Sequence, residues 1–102
     1  MIVSVLYKVD ARGKFDLDYY MATHIPMLRR LWGPVGLSDV RVLKGTGIAG
    51  GGAATFSYIA LLDFASMAAF EEAAQKHGAE ILGDIVNFTD SSPTIQFNEV
   101  IG

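Results

Sequence analysis

Two histidines and 11 acidic residues carry most of the acid–base chemistry open to this chain. His24 is the first candidate. It follows Tyr20 by one helical turn and precedes a break signal at Pro26. An imidazole titrates near neutrality, so a half-buried one suits general acid–base work. The plainer explanation is a core histidine bonded to a backbone carbonyl, because intermediate burial is ordinary for histidine. His77 is the second candidate. It stands just before Gly78, where a cation favours a helix C-terminus, and that capping role is the expected one. Asp84 is the third. It lies among Ile81, Leu82, Ile85 and Val86, so partial burial is expected, and burial would raise its pKa. Its alternative is to cap a short helix or partner a nearby amide. Tyr7, Tyr20, Trp32, Tyr58 and Phe88 are the aromatic residues that could wall an apolar, substrate-binding pocket. Taken singly, each is better explained by core packing.

Other chemistries lack their residues. The chain has no cysteine, which removes disulfides, thiolate metal sites and cysteine nucleophiles. No G-x-S-x-G elbow is present. His24 and His77 form no cluster with metal-ligand spacing, so no metal is expected. Gly45-Thr46-Gly47-Ile48-Ala49-Gly50 matches G-x-G-x-x-G. A dinucleotide fingerprint must also open a helix, whereas this stretch leads into another strand. It reads as a hairpin loop that could fold over a pocket mouth, and no cofactor is expected. The net charge is −3 and the longest basic run is Arg29-Arg30, which leaves nothing to track a phosphate backbone. The opening Met1-Ile2-Val3-Ser4-Val5-Leu6-Tyr7-Lys8 lacks a basic leader. No apolar run approaches the roughly 20 residues that span a bilayer. The expectation is a cytoplasmic protein with no nucleic-acid or membrane partner.

Strands and helices must hold these residues. Ile2 to Val9 is β-branched and aromatic and reads as a strand. Asp16 stands at a helix N-cap, with Asp18 in the positive first turn. Leu17, Tyr20, Met21, His24 and Leu28 then share one helical face. Pro26 withholds the amide that would bond the Ala22 carbonyl, which predicts a kink or break near Ile25. Arg29 and Arg30 suit the C-terminal end, and Gly33-Pro34 with Gly36 stops the helix. Asp39 to Lys44 forms a second strand, Gly45 to Ala54 a loop, and Thr55 to Phe64 a third strand. Ser66 caps a second helix with Phe70, Ala73, Ala74 and His77 on one face, Glu72 paired with Lys76, and Gly78 as its end. Ala79 to Val86 reads as a further short helical piece. Thr94 to Ile101, after the turn Asp90-Ser91-Ser92-Pro93, is the final strand.

The order is β-α-β-β-α-β, a ferredoxin-like α+β arrangement with an antiparallel sheet in one domain over residues 1–102. Both faces of that sheet are apolar. Phe56, Tyr58, Ala60, Leu62 and Phe64 alternate with Ile59 and Leu61, and Val3, Val5, Tyr7 and Val9 alternate with Ile2 and Leu6. Helices cover one face. A second sheet, supplied by a symmetric homodimer, is the simplest cover for the other. The composition agrees, since 51% of residues are hydrophobic and only 19% charged, which leaves apolar surface for a partner.

Asp16-Leu17-Asp18-Tyr19-Tyr20 followed by His24-Ile25-Pro26-Met27 resembles the D-x-D-Y-Y-x-x-x-H-x-P signature of EthD-like proteins. Phe64-Ala65-Ser66 with Ala69-Phe70, Asp84-Ile85 with Asn87-Phe88-Thr89, and Gln96 with Glu99-Val100 resemble that family's later blocks, in the same order. Val86 departs from the proline often found after the Asp-Ile pair. The resemblance implies a dimeric α/β barrel with a pocket between helix and sheet, lined by His24. The family is named from a gene cluster that breaks down a fuel ether through a cytochrome P450 system, which implies a catabolic setting beside an oxygenase. Similar barrels include monooxygenases, isomerases, cyclases and haem enzymes.

Two readings follow. One is a cofactor-independent enzyme that acts on a small apolar carbonyl or hydroxyl compound, with His24 moving a proton and Asp84 or a tyrosine assisting. The other is a non-catalytic protein that binds a hydrophobic metabolite or assists an oxygenase. Haem ligation by His24 is a third possibility, carried by analogy alone.

Overall fold

Alternation with a period of two builds the sheet. The computed structural model describes residues 1–102, with β1 at Ile2–Tyr7, β2 at Leu37–Lys44, β3 at Tyr58–Phe64 and β4 at Thr94–Asn98. They lie in the order β2-β3-β1-β4, and each neighbouring pair is antiparallel. With a helix after β1 and another after β3, this is the ferredoxin-like α+β arrangement. Val3 stands opposite Leu62 and Phe97, and Val5 opposite Ala60 and Ile95. These residues share the face that the helices cover. Ile2, Leu6, Ile59 and Leu61 fall on the other face, where each is only half-buried.

Three of the four strands are shorter than the apolar runs that encode them. β1 ends at Tyr7 because the Val9 amide donates to Ser57 Oγ at 3.1 Å. β3 begins at Tyr58 rather than Thr55. β4 stops at Asn98, which lies opposite Ile2, the first residue of β1, so Val100 and Ile101 have no strand beside them. β2 starts earlier than its pattern, at Leu37, with a bulge between Leu37 and Asp39.

The first helix spans residues 17–32. Asp16 caps it, accepting the Tyr19 amide at 3.0 Å. Pro26 does not break it. The chain instead passes through a π-helical turn, Tyr20–His24, whose widened closure runs from the Ile25 amide to the Tyr20 carbonyl, and continues as Ile25–Trp32. A π-turn of this kind absorbs the donor that proline lacks without ending the helix. The wider turn also brings residues four apart closer to one line, and the Tyr20 and His24 rings stack at 5.5 Å and 17°. Met21, expected on the same face, is turned out to solvent.

The second helix, Met67–Asp84, begins at the Ser66 cap, which accepts the Ala69 amide at 3.1 Å. Glu72 pairs with Lys76 at 3.0 Å. Gly78 does not end this helix. It is buried inside it, and the helix runs through residues expected to form a separate piece, closing with a 3-10 turn at Ile85–Asn87. A helix-interior glycine is tolerated at about 1 kcal/mol relative to alanine. His77 therefore occupies mid-helix, where Nδ1 lies 3.4 Å from Glu80, and does not cap a C-terminus. A 3-10 turn, Gly33–Val35, follows the first helix and closes at Gly36 with φ +104°, where a Cβ would lie 2.8 Å from that of Ala69 in the second helix. No helix is long and apolar enough to cross a membrane.

Candidate functional site

A cavity of about 80 Å³ lies between the inner face of the sheet and the two helices. Val5, Ala60 and Leu62 form its floor, Leu28 and Trp32 line it from the first helix, and Ala74, Gly78 and Ile81 from the second. Its most exposed lining residues include Ile95 of β4 and Leu82 of the second helix, 41% and 55% exposed. No residue of the glycine-rich loop 45–54 reaches it.

The polar side chains in its wall are Tyr7, Tyr20, His24 and Trp32. Trp32 Nε1 already donates to the Ala73 carbonyl at 2.8 Å. His24 is held from behind. Its Nδ1 lies 2.9 Å from Asp84 Oδ2, and the two side chains are 4% and 12% exposed. Burial holds the imidazole below its ordinary pKa, outweighing the Asp84 carboxylate, which acts to raise it. His24 is thus neutral at neutral pH. A carboxylate can only accept, so the proton sits on Nδ1 and the lone pair on Nε2. Nε2 makes no hydrogen bond within the chain, and no buried side-chain polar atom is sealed off without a partner, so Nε2 is open to the cavity that His24 lines.

Asp84 stands behind the wall rather than in it. Burial alone would raise its carboxyl, as its apolar neighbours in the sequence suggest. Hydrogen bonds from Tyr19, Asn87 and His24 outweigh that and hold it below the usual carboxylate range, which reverses the expected direction. The Tyr19 hydroxyl donates to Oδ1 at 2.7 Å and the Asn87 amide to the same oxygen at 2.8 Å. The Tyr19 hydroxyl is raised in turn, chiefly by that bond to Asp84. Neither Tyr19 nor Asn87 stood out for its chemistry, yet both fall in the segments that carry the family resemblance.

The remaining aromatic candidates divide. Tyr7, Tyr20 and Trp32 line the cavity. Phe88 is fully buried and packs on the His24 ring at 4.6 Å, backing the imidazole without reaching the cavity. Tyr58 lies at the start of β3, stacked on Phe15 at 4.1 Å and 18°, outside the lining.

No protein-family model matches the chain, and no curated protein does. Solved structures do. An EthD-like protein from Ralstonia eutropha JMP134 is 35% identical, superposes with a TM-score of 0.91, and the match covers 99% of this chain and 91% of that one. An ethyl tert-butyl ether D (EthD) family protein from Bacillus halodurans C-125 is 16% identical over 96% of both chains, with a TM-score of 0.61. A candidate monooxygenase from Shewanella loihica PV-4 is 20% identical over 98% of this chain and 94% of that one, with a TM-score of 0.60. The latter two speak for the fold alone. The fold, the order of the helix and strand blocks, and the first of these similarities agree: the chain belongs to the EthD-like family.

Proposed function

We propose that this protein is a cofactor-independent enzyme that moves a proton on a small, largely apolar carbonyl or hydroxyl compound. His24 is the base and Asp84 positions it. The observation that carries this reading is the buried His24–Asp84 pair: a 2.9 Å contact to a carboxylate holds Nδ1, on an imidazole that lines an apolar cavity. Proton transfer by a placed side chain accelerates a reaction by about 10²–10⁴-fold. The base needs no metal or redox partner for an isomerisation or cyclisation.

The working unit in this reading is a homodimer. Ile2, Leu6, Ile59 and Leu61 leave an apolar outer sheet face half-uncovered in one chain, and a second sheet packed on it makes a closed α/β barrel.

A panel of small apolar carbonyl and hydroxyl compounds, incubated with pure protein and followed by proton NMR, tests the enzyme reading. Wild type converts or isotopically exchanges at least one of them, and His24→Ala loses about 10²–10⁴-fold of that rate with its oligomeric state intact. Full activity in His24→Ala contradicts it.

One observation favours a binding protein instead: 14 of the 17 residues lining the cavity are hydrophobic. In that case no compound is converted, and His24→Ala changes affinity only modestly. A haem does not fit the cavity as it stands. The cavity of about 80 Å³ is far smaller than the roughly 300–1,000 Å³ of ordinary ligand pockets, and the helix and sheet faces would have to part to admit the ring.

A further inference from the structure

Tyr7 on β1 and Tyr20 on the first helix meet edge to face, with ring centroids 6.0 Å apart at 80°. Each is 1% exposed. A buried tyrosine hydroxyl ordinarily finds a hydrogen-bond partner. Neither of these does within the chain, yet no side-chain polar atom is both sealed off and unpartnered. Both hydroxyls therefore open onto the cavity that both residues line. Leaving such buried donors without a partner is costly, so the pair is poised for a ligand. Burial raises both phenols above their ordinary pKa, so they stay protonated and donate. The Tyr20 ring stacks on His24 at 5.5 Å, and Tyr7, Tyr20 and His24 all line the same cavity.

We propose that Tyr7 and Tyr20 form a two-donor cradle for one ligand oxygen, so that the substrate is a small enolisable carbonyl compound. This rests on the reading of His24 as the base. A carboxylate finds no cation in the cavity wall. An alcohol oxygen could accept from both donors, but it carries no acidified α-proton for Nε2 to remove. A carbonyl oxygen accepts from both hydroxyls and places its α-carbon where Nε2 can reach. In the step, Nε2 takes a proton from the α-carbon, and the C–H electron pair becomes the C=C bond. The carbonyl π pair moves onto oxygen, where the two O–H donors hold the enolate. His24 becomes an imidazolium beside Asp84 and returns the proton to carbon. Nothing is oxidised or reduced.

The test is α-proton exchange of acetone, butanone and cyclopentanone in D₂O, followed by proton NMR, with wild type, Tyr7→Phe, Tyr20→Phe and His24→Ala. Wild type exchanges at least one ketone faster than buffer. Each phenylalanine variant, which keeps the ring and its packing, loses about a hundredfold, in line with removal of one oxyanion donor. Wild-type rates in both phenylalanine variants, with exchange lost in His24→Ala, overturn the cradle and leave the base standing. Loss in the phenylalanine variants with full exchange in His24→Ala supports the cradle and overturns the base. Failure of wild type to exchange any of the three ketones overturns the proposed substrate class.

Discussion

His24 Nδ1 and Asp84 Oδ2 stand 2.9 Å apart although 60 residues separate them in the chain. The first helix supplies the imidazole and the last residue of the second helix supplies the carboxylate. Their bond fixes which nitrogen carries the proton and which faces the cavity. The proposed mechanism depends on that choice.

Asp84→Asn tests the positioning role. The amide is isosteric but carries no charge and can present either an oxygen or an NH₂ group to Nδ1. Without the carboxylate, His24 titrates lower still, because Asp84 is the influence that raises it. Turnover is expected to drop by about 10²–10⁴-fold, with the acid limb of the pH profile displaced to lower pH. An unchanged profile would show that Asp84 does not hold the base.

Acid should destabilise the fold in two stages. His24 is held below its ordinary 6.5, so the unfolded chain takes the proton first, and stability falls as pH drops from about 6.5 toward the lower folded value. Asp84 is held below its ordinary 3.8, and its contribution is lost as pH falls from there through the folded pKa. Urea unfolding at a series of pH values should show both stages. His24→Gln should remove the upper one, and an identical pH dependence in that variant would contradict the burial-driven shift.

Gly78→Ala should separate stability from function. The residue is buried in a helix interior, and an added Cβ meets only the Ala74 side chain, at an ordinary 3.8 Å. Helix propensity then favours alanine by about 1 kcal/mol, or roughly 4–8 °C in Tm. The same methyl projects into the cavity wall, so turnover and ligand affinity should fall. Raised Tm with unchanged activity would mean that the ligand does not reach this wall.

The outer sheet face tests assembly. Leu61→Asp puts a carboxylate among Leu6 and Ile59, with Ser4 opposite in register. Sedimentation should show wild type at twice the chain mass and the variant at the chain mass, with its helical circular dichroism retained. A monomeric wild type would remove the barrel from the account.

What the sequence makes legible is mostly local. Asp16 and Ser66 read as caps because a cap bonds within its own turn, and the sheet reads from alternation in Val3 to Tyr7 and Tyr58 to Phe64. Gly78 misled because a glycine serves equally as a helix stop or as room inside a helix, and only the packed cavity decides between them. Pro26 announced a disturbance, but whether the chain broke or widened depended on tertiary packing of the Tyr20 and His24 rings. Asp84 misled in the direction of its pKa. The apolar neighbours are visible in sequence, whereas the Tyr19 donor is 65 residues away. His24 was legible as a candidate from its type and place, and its tautomer was not.

The most direct test of the central claim is a ¹⁵N-edited NMR titration of the His24 imidazole. The account predicts a neutral ring at pH 7, protonated on Nδ1, whose midpoint lies below that of an ordinary histidine and falls further in Asp84→Asn. A ring that is already cationic at pH 7, or one protonated on Nε2, would leave no base facing the cavity and would contradict the account.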